Sequence, residues 1–269
     1  MILLAIDVGN TQITLGAFLG KALKRTWRLP TNPRATSKEL GTQLVQLLKK
    51  ASPTAFGGPP SPGRGGGGGE VLGVIIASVV PPIDAALAEA CTRYLHCAPF
   101  MIGPQTQLGI KNLYKNPREV GADRLVNAVA VDALFGGPAI VVDFGTATTF
   151  DCVSSLGDYL GGVIAPGLEI AHDALAARAA KLSRVPFEVP RRVLGKTTKE
   201  SLQSGLFFGY IALVEGVLQR LMKEMRVRPK IIATGGLSRI IGPRLKPAAR
   251  VMPTLTLEGL RIVWERSNT

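Results

Sequence analysis

The sequence predicts an α/β protein of two similar halves, because one short pattern occurs twice. Residues 2–18 read ILLAIDVGNTQITLGAF, in which an apolar strand leads to Asp7, a Gly-Asn-Thr turn and a second strand of alternating polarity. Residues 139–151 read AIVVDFGTATTFD and repeat the order of apolar strand, Asp, Gly and hydroxyl side chains. Alternation after a turn is typical of a β-hairpin. Two such hairpins indicate a duplicated fold, and a chance pairing of two strand-Asp-Gly turns is the alternative.

The first hairpin carries groups suited to a phosphate. Gly9 removes Cβ from the tip of the turn, so a ligand can approach the backbone closely. Asn10 and Thr11 add amide and hydroxyl donors beside the turn N–H groups. Asp7 would repel a bare phosphate, so its position makes sense if a metal ion or a metal-bound water lies between them. The two hairpins therefore predict a grip on a nucleotide polyphosphate, although the first hairpin alone also fits an ordinary Asn-containing turn.

Length and composition restrict the class of protein. The chain has 269 residues, 46 % of them hydrophobic and 19 % charged, which is typical of a globular protein and allows two domains. No apolar run reaches the roughly eighteen residues that span a bilayer, and the first residues lack the basic region of a signal peptide. Cys91, Cys97 and Cys152 show no metal-ligand spacing. We interpret them as idle thiols in a reducing cytoplasm.

The net charge of +13 is unevenly distributed along the chain. Residues 71–177 hold 5 basic and 10 acidic residues, whereas the rest of the chain holds 27 basic and 9 acidic residues. A basic excess can attract nucleic acid or an anionic membrane. No aromatic interleaving or recognised nucleic-acid motif accompanies it, so we interpret it as a solvated surface and expect neither a nucleic-acid nor a membrane partner.

Periodicity and turn residues predict the remaining elements of the first half. Strands are predicted at 22–29, 71–78 and 99–102, and helices at 37–50 and 83–95. Ser37 is the predicted N-cap of the first helix. Residues 53–69 include GGPPSPGRGGGGG, which is too rich in Gly and Pro for a helix or strand interior, so a flexible surface insertion is expected.

A helix is predicted directly after Gly121 and through Leu134, with Asp123 and Arg124 in its first turn. The helix dipole favours an Asp there, so capping is one interpretation of Asp123. The same dipole disfavours Arg124. An adjacent Asp-Arg pair at the mouth of a helix could instead serve a substrate, one residue as base and the other as anion clamp.

The second half closes with three predicted helices and two predicted strands. The strands are predicted at 159–165 and 231–238, and the helices at 168–182, 199–225 and 254–264. Thr197 and Thr198 precede the long helix as caps or as hydroxyl donors to a ligand. The last strand ends in Thr-Gly-Gly, and the carboxyl ends of parallel strands are where α/β folds admit ligands.

Six motifs together resemble the type III pantothenate kinases of the actin-like and sugar-kinase ATPase superfamily. They are DVGNT at 7–11, NPREVGADRLVNAVA at 116–130, VVDFGTATTFD at 141–151, YLGGVIAPG at 159–167, TGGL at 234–237 and LTLEGL at 255–260. The resemblance implies a duplicated actin-like (ribonuclease H-like) ATPase fold, with mixed sheets flanked by helices. It implies halves at 1–115 and 116–269, and a homodimer formed through helices of the second half.

The resemblance also implies an activity, which is ATP-dependent phosphorylation of pantothenate to 4'-phosphopantothenate, the first step of coenzyme A biosynthesis. Asp123 would be the general base, Asp7 would face Mg²⁺, and Asp143 would bind a monovalent cation, K⁺ or NH₄⁺. The implied ATP contacts are Asp7, Val8, Gly9, Asn10, Thr11, Gln12, Ile13, Thr14 and Thr146. The implied pantothenate contacts are Tyr114, Gly121, Ala122, Asp123, Arg124 and, from the partner subunit, Thr198.

The chain departs from the family pattern at two places. Thr197-Thr198 stands where the family usually has Asn-Thr, and the Gly/Pro-rich insertion is atypical. Two other functions stay open at this point. One is a non-catalytic transcription-accessory protein of the same fold, supported by the net charge alone and opposed by the intact acidic set. The other is a kinase for another small hydroxy acid.

Overall fold

The computed structural model describes residues 2–50, 71–178 and 184–268. The predicted insertion at 53–69 lies outside these residues, as does the end of the helix predicted at 168–182. Residues 1–110, 115–130 and 256–269 form one compact unit, and residues 111–114 and 131–255 form a second. This division differs from the predicted boundary at 115/116, because one helix continues past residue 130 and the last helix packs into the core of the first unit.

The first unit contains a five-stranded mixed sheet. Its strands are β1 (Ile2–Val8), β2 (Gln12–Leu19), β3 (Ala22–Pro30), β4 (Val71–Ser78) and β5 (Phe100–Met101). Their order is β3-β2-β1-β4-β5, with β1 antiparallel to β2 and parallel to β4. Val8 pairs with Ile13 beside the turn, which confirms the predicted hairpin.

The second unit contains a sheet of the same topology. Its strands are β6 (Ala139–Phe144), β7 (Ala147–Val153), β8 (Tyr159–Pro166), β9 (Lys230–Gly235) and β10 (Arg250–Val251). Their order is β10-β9-β6-β7-β8, with β6 antiparallel to β7 and parallel to β9. Each strand of the first sheet thus has a counterpart at the same place in the second, so the predicted duplication is confirmed.

Helices cover the sheets. They are α1 (Ser37–Lys50), α2 (Pro81–Leu95), α3 (Ala122–Phe135), α4 (Leu168–Arg178), α5 (Thr198–Ser204), α6 (Tyr210–Met225), α7 (Ser238–Ile241) and α8 (Leu255–Ser267). In the first unit, α1 and α2 pack on one face of the sheet around Leu4, Ile6 and Leu15. The other face carries α3 and α8, around Phe18 and Ile75. In the second unit, α4 and α6 cover Val142 and Phe150.

Several predicted boundaries need correction. Ser37 is not the N-cap of α1, because the Thr36 hydroxyl accepts from Glu39 N–H while the Glu39 carboxylate accepts from Thr36 N–H, forming a capping box. Pro81 opens α2, where Pro lacks only an N–H that a first turn would leave unused. The last long strand ends at Gly235, and Ser238 already begins α7. The long helix at 198–225 contains a π-helical turn, Gly205–Gly209, between α5 and α6.

Candidate functional site

The turn of the first hairpin is braced by the end of β3. Gly9 N–H donates to the Gln12 carbonyl oxygen at 3.0 Å and closes the turn. The Thr31 hydroxyl donates to the Gly9 carbonyl oxygen at 2.6 Å, and Thr31 N–H donates to the Thr11 carbonyl oxygen at 3.0 Å. Asn10 and Thr11 are exposed, whereas Asp7 is half-buried at the end of β1. The turn is therefore fixed from behind and open to a ligand in front.

The start of α3 lies at the same edge of the first sheet. Val79 N–H donates to the Val8 carbonyl oxygen at 3.0 Å, which joins the end of β1 to the residue after β4. A Cβ on Gly121 would lie 3.3 Å from Val79 Cγ1 and 2.5 Å from Asp123 Oδ1. A side chain at this position would displace the Asp123 carboxylate and crowd Val79. The structure thus brings two sequence-predicted groups together, the Asp7 hairpin and the Gly121–Arg124 turn.

Asp123 sits in the first turn of α3 but does not cap the helix. Leu125 N–H donates to the Gly121 carbonyl oxygen at 3.3 Å, so Gly121 holds the N-cap position. The Asp123 carboxylate accepts from Arg124 N–H at 2.8 Å. Burial raises the pKa of the Asp123 carboxyl above its usual value, and the hydrogen bond from Arg124 N–H and the Arg124 charge oppose the rise. A carboxyl held in this way suits a general base.

Sequence reasoning missed a contact that fixes α3 from behind. The Thr256 hydroxyl donates to Asn127 Oδ1 at 2.9 Å, and Asn127 is almost fully buried. A Cβ on Gly259 would lie 2.2 Å from the Val126 carbonyl oxygen, so α3 and α8 cross closely. The signal was present in the sequence, since Thr256 and Gly259 belong to the LTLEGL motif and Asn127 to the motif around Asp123.

The second hairpin places its Asp against a glycine of the next strand. Gly145 N–H donates to the Ala147 carbonyl oxygen at 3.1 Å, and Thr146 is exposed at the tip. Gly235 has φ +86°, and a Cβ there would lie 2.4 Å from Asp143 Oδ1. Gly235 of the Thr-Gly-Gly sequence thus lets the Asp143 carboxylate and the Phe144 backbone pack directly against β9, which a larger residue would prevent.

A buried tyrosine supports the second hairpin. The hydroxyls of Tyr210 and Thr148 share a hydrogen bond at 2.5 Å, and Thr148 is fully buried. Burial raises the pKa of Tyr210 to about 12, and the Asp143 charge acts in the same direction. Tyr210 therefore stays protonated and keeps this hydrogen bond. The π-helical turn directly before Tyr210 is a kind of irregularity often found at functional sites.

Thr198 lines an apolar pocket of about 510 Å³ in the second unit. Thr197 caps α5, because its hydroxyl accepts from Glu200 N–H at 3.2 Å, and Thr198 is the first helical residue. The lining includes Leu175 and Leu213, which are 42 % and 38 % exposed. Tyr114 lies elsewhere, at the start of β8, where its ring centroid is 6.3 Å from that of Tyr159.

In the part of the chain that the structure describes, one helix has the length and hydropathy of a membrane span. It runs over Thr198–Met225 with a mean hydropathy of 1.4, and 39 % of its apolar window is buried inside the protein. Core helices of soluble proteins meet the same criteria. The sequence predicted no uninterrupted apolar run long enough to span a bilayer. That prediction still holds for this helix, because Glu215 interrupts its apolar stretch.

Comparison with known proteins identifies the family. Residues 3–220 match the family model of the type III pantothenate kinases. The chain is 50 % identical over 265 residues to a type III pantothenate kinase of Moorella thermoacetica, covering 98 % of this chain and 99 % of the relative. A type III pantothenate kinase of Anaeromyxobacter sp. strain K is 47 % identical over the same length, again covering 98 % of this chain and 99 % of the relative.

Solved structures of low sequence identity share the fold. A Baf family protein of Campylobacter jejuni has a TM-score of 0.58 at 18 % identity and covers 99 % of this chain and 100 % of its own. A ROK family glucokinase of Streptomyces griseus has a TM-score of 0.54 at 11 % identity and covers 97 % of this chain and 98 % of its own. The actin-like fold is thereby confirmed. By its sequence and its fold, the chain belongs to the type III pantothenate kinase family.

Proposed function

We propose that this chain transfers the terminal phosphoryl group of ATP to the terminal hydroxyl of pantothenate, in the first step of coenzyme A biosynthesis. The observation that carries the proposal is the Asp123 carboxyl, which has a raised pKa and lies at the sheet edge that also bears the Asp7 hairpin. Family membership supports the identity of both substrates. The free cysteines fit a cytoplasmic enzyme.

Asp123 is the proposed general base. The pantothenate hydroxyl oxygen bonds to the γ-phosphorus, the bond to the ADP oxygen breaks, and Asp123 accepts the hydroxyl proton. Phosphoryl transfer depends mainly on positioning and charge stabilisation. Arg124, almost buried next to Asp123, supplies a positive charge for the pantothenate carboxylate. Tyr114, Gly121 and Ala122 are the other proposed pantothenate contacts in the same chain.

The remaining proposed contacts hold ATP and its cations. The first hairpin, residues 7–14, and Thr146 bind phosphates through exposed turn groups. In the described ranges 2–50, 71–178 and 184–268, no three His, Cys, Asp or Glu side chains form a metal cluster. Mg²⁺ does not require such a cluster, because one carboxylate such as Asp7 can hold it together with substrate phosphates. When bound, Mg²⁺ neutralises charge on the transferred group.

Asp143 is the proposed ligand of a monovalent cation, K⁺ or NH₄⁺. Its carboxylate is half-buried next to the exposed turn of the second hairpin, and carboxylate oxygens are suitable ligands for a hard cation. An assay of ADP release tests the whole proposal. We expect release that requires pantothenate and rises with added K⁺. Release of ADP with another hydroxy acid but not with pantothenate would indicate a kinase for that other hydroxy acid.

A homodimer is the second part of the proposal. The apolar pocket at Thr198 and the exposed Leu175 and Leu213 form a surface suited to a second copy of the chain. In that arrangement Thr198 of the partner subunit completes the pantothenate site. Burial against a second copy also gives the apolar side of the 198–225 helix a partner without a membrane.

Mixing two inactive variants tests the shared site. Asp123→Asn and Thr198→Val chains can place both lesions in one site of a mixed dimer and leave the other site intact. Random exchange gives about half mixed dimers, so recovery of up to about a quarter of wild-type activity is expected. Tagged chains must show that exchange occurs. Exchange without recovery would place Thr198 in the site of its own subunit.

The transcription-accessory hypothesis has less support. Its motive is the net charge of +13. The intact Asp7, Asp123, Arg124 and Asp143 set favours catalysis, since a scaffold has no need to bury the Asp123 carboxyl at this cost. Binding of DNA at physiological salt by a chain that releases no ADP would reverse this preference.

A further inference from the structure

Residues 111–114 pack with the second unit although the residues on both sides of them belong to the first. One residue of β8 holds this segment through both of its backbone groups. Tyr159 N–H donates to the Lys111 carbonyl oxygen at 2.9 Å, and Leu113 N–H donates to the Tyr159 carbonyl oxygen at 2.9 Å. Lys111 N–H also donates to the Asp158 carboxylate at 3.2 Å.

The Tyr159 side chain is anchored in the opposite direction. It is fully buried, and its hydroxyl donates to Asp151 Oδ1 at 3.1 Å. Asp151 is fully buried as well, and the Thr149 hydroxyl donates to its other oxygen at 3.3 Å. A buried carboxylate is stable only with such donors, so this hydrogen bond fixes the orientation of the Tyr159 ring.

The anchored ring borders Tyr114. The two ring centroids are 6.3 Å apart with a tilt of 45°, a favourable distance for an aromatic pair. Gly161 borders the Tyr114 ring, because a Cβ on Gly161 would lie 3.5 Å from Tyr114 Cδ2 and Cε2. The Asn112 side chain accepts from Tyr114 N–H at 3.1 Å and fixes the backbone. Tyr114 stays half-buried, so part of it is available to a ligand.

We infer that Tyr159 is a positioning residue for pantothenate, because its hydrogen bond to buried Asp151 holds the ring that orients Tyr114. The inference rests on the proposed function, in which Tyr114 contacts pantothenate. Tyr159 itself touches no substrate. Its effect should therefore appear in the binding of pantothenate and not in the chemical step or in the binding of ATP.

Tyr159→Phe tests this role, since it removes the hydroxyl and keeps the ring and both backbone hydrogen bonds. Loss of one hydrogen bond is expected to raise KM for pantothenate roughly fivefold. The values of kcat and of KM for ATP should stay within about twofold, because the variant leaves Asp123 and the turns of both hairpins untouched. A loss of stability alone would lower the amount of active enzyme, and hence kcat, without a selective change in KM.

A double-mutant cycle shows whether Tyr159 acts through Tyr114. In a Tyr114→Leu background, Tyr159→Phe should cause no further rise in KM for pantothenate. Asn112→Ala removes the hydrogen bond to Tyr114 N–H and should raise the same KM even if Tyr159→Phe folds poorly. The inference is overturned if KM is unchanged in Tyr159→Phe or in Asn112→Ala, or if the cycle is additive. A wild-type chain that releases no ADP with pantothenate would overturn the proposed function instead.

Discussion

The two Asp-Gly hairpins share the same backbone arrangement and differ in the residues that surround it. In both, a buried strand ends at a half-buried Asp, and the N–H of the Gly two residues later closes the turn. Three residues separate β1 from β2, whereas two separate β6 from β7. The first turn therefore presents one more side chain, Asn10, to a ligand. Duplication has kept the strand and the Asp, while the tip has diverged.

The braces behind the two turns also differ. Pro30 and Pro166 pair with the first residues of β2 and β7, so they occupy equivalent places. The next residue is Thr31 in the first unit, where its hydroxyl bonds to the turn. In the second unit it is Gly167, where a Cβ would lie 2.1 Å from the Thr146 carbonyl oxygen. One turn is held by a side chain and the other by direct backbone packing.

The largest difference lies on the parallel neighbour strand, at the residue that pairs with the position directly after each Asp. Ser78 pairs with Val8, and Gly235 pairs with Phe144 at the same position of the second sheet. The Ser78 hydroxyl accepts from Val80 N–H at 3.1 Å and prepares the start of α2. Gly235 instead allows the Asp143 carboxylate and the Phe144 backbone to pack closely against it. The same strand end therefore prepares a helix start in one unit and borders the Asp of the hairpin in the other.

The largest expected effect belongs to Asp123, whose position at the start of α3 is specific to the first unit. Asp123→Asn keeps the shape of the side chain and removes the base. The value of kcat is expected to fall by about 10²–10⁴-fold, measured by coupled ADP release. A variant within a few-fold of wild type would contradict the assignment.

The same variant should change the stability of the fold by an amount that depends on pH. Because burial raises the Asp123 pKa above 3.8, the folded protein binds this proton more tightly than the unfolded chain does. That contribution is complete below pH 3.8 and is lost as the pH rises through the folded-state pKa. At pH 7.5 Asp123→Asn should therefore unfold at the same temperature as wild type or higher. Its advantage should shrink as the pH is lowered, and an advantage that grows toward acid would have the wrong sign.

Substitutions at the two equivalent strand ends are expected to lower the free energy of unfolding by different amounts. Gly235→Ala places a Cβ within 2.7 Å of Phe144 backbone atoms and at φ +86°, so a loss of about 2–5 kcal/mol is expected. Ser78→Ala removes one hydrogen bond, for a loss of about 1 kcal/mol. Urea unfolding of both variants measures the difference. Equal losses would show that the two edges are not specialised.

Substitutions of the two hairpin Asp residues are expected to change the dependence of activity on different ions. Asp7→Ala should raise the Mg²⁺ concentration for half-maximal activity by on the order of tenfold, with the K⁺ response retained. Asp143→Ala should weaken the response to K⁺ more than the binding of pantothenate. Titration of each variant with both ions gives a crossed pattern if the hairpins hold different cations. The same response in both variants would rule out that division.

The smallest expected effect concerns the brace of the first turn. Thr31→Val removes the hydrogen bond to Gly9 and should raise KM for ATP a few-fold, with about 1 kcal/mol lost in unfolding free energy. Thr42→Val is a matched control, because the Thr42 hydroxyl donates to the Lys38 carbonyl oxygen at 2.8 Å on the exposed side of α1. KM for ATP should not change in the control. An equal change in both variants would mean that the brace has no specific role.

Local sequence was enough to predict both hairpins, the long helices, the duplication and every described strand except β10, Arg250–Val251. These features depend on the alternation of apolar residues and on Gly and Asp at turns, which act over a few neighbouring residues. The predicted N-cap of α1, Ser37, is one residue C-terminal to the observed N-cap, Thr36, because both residue types are good caps. The capping box with Glu39 decides between them.

Tertiary structure alone decided which distant residues share a space. Three contacts depend on pairing between elements far apart in the chain. Gly235 borders Asp143, Thr256 donates a hydrogen bond to Asn127, and the Tyr159 backbone bonds to residues 111 and 113 beside Tyr114. The return of α8 to the first unit has the same origin, since its apolar face fits the core around Phe18 and Ile75. Periodicity shows that a face is apolar, but the surface that covers it is set by the packing of the whole unit.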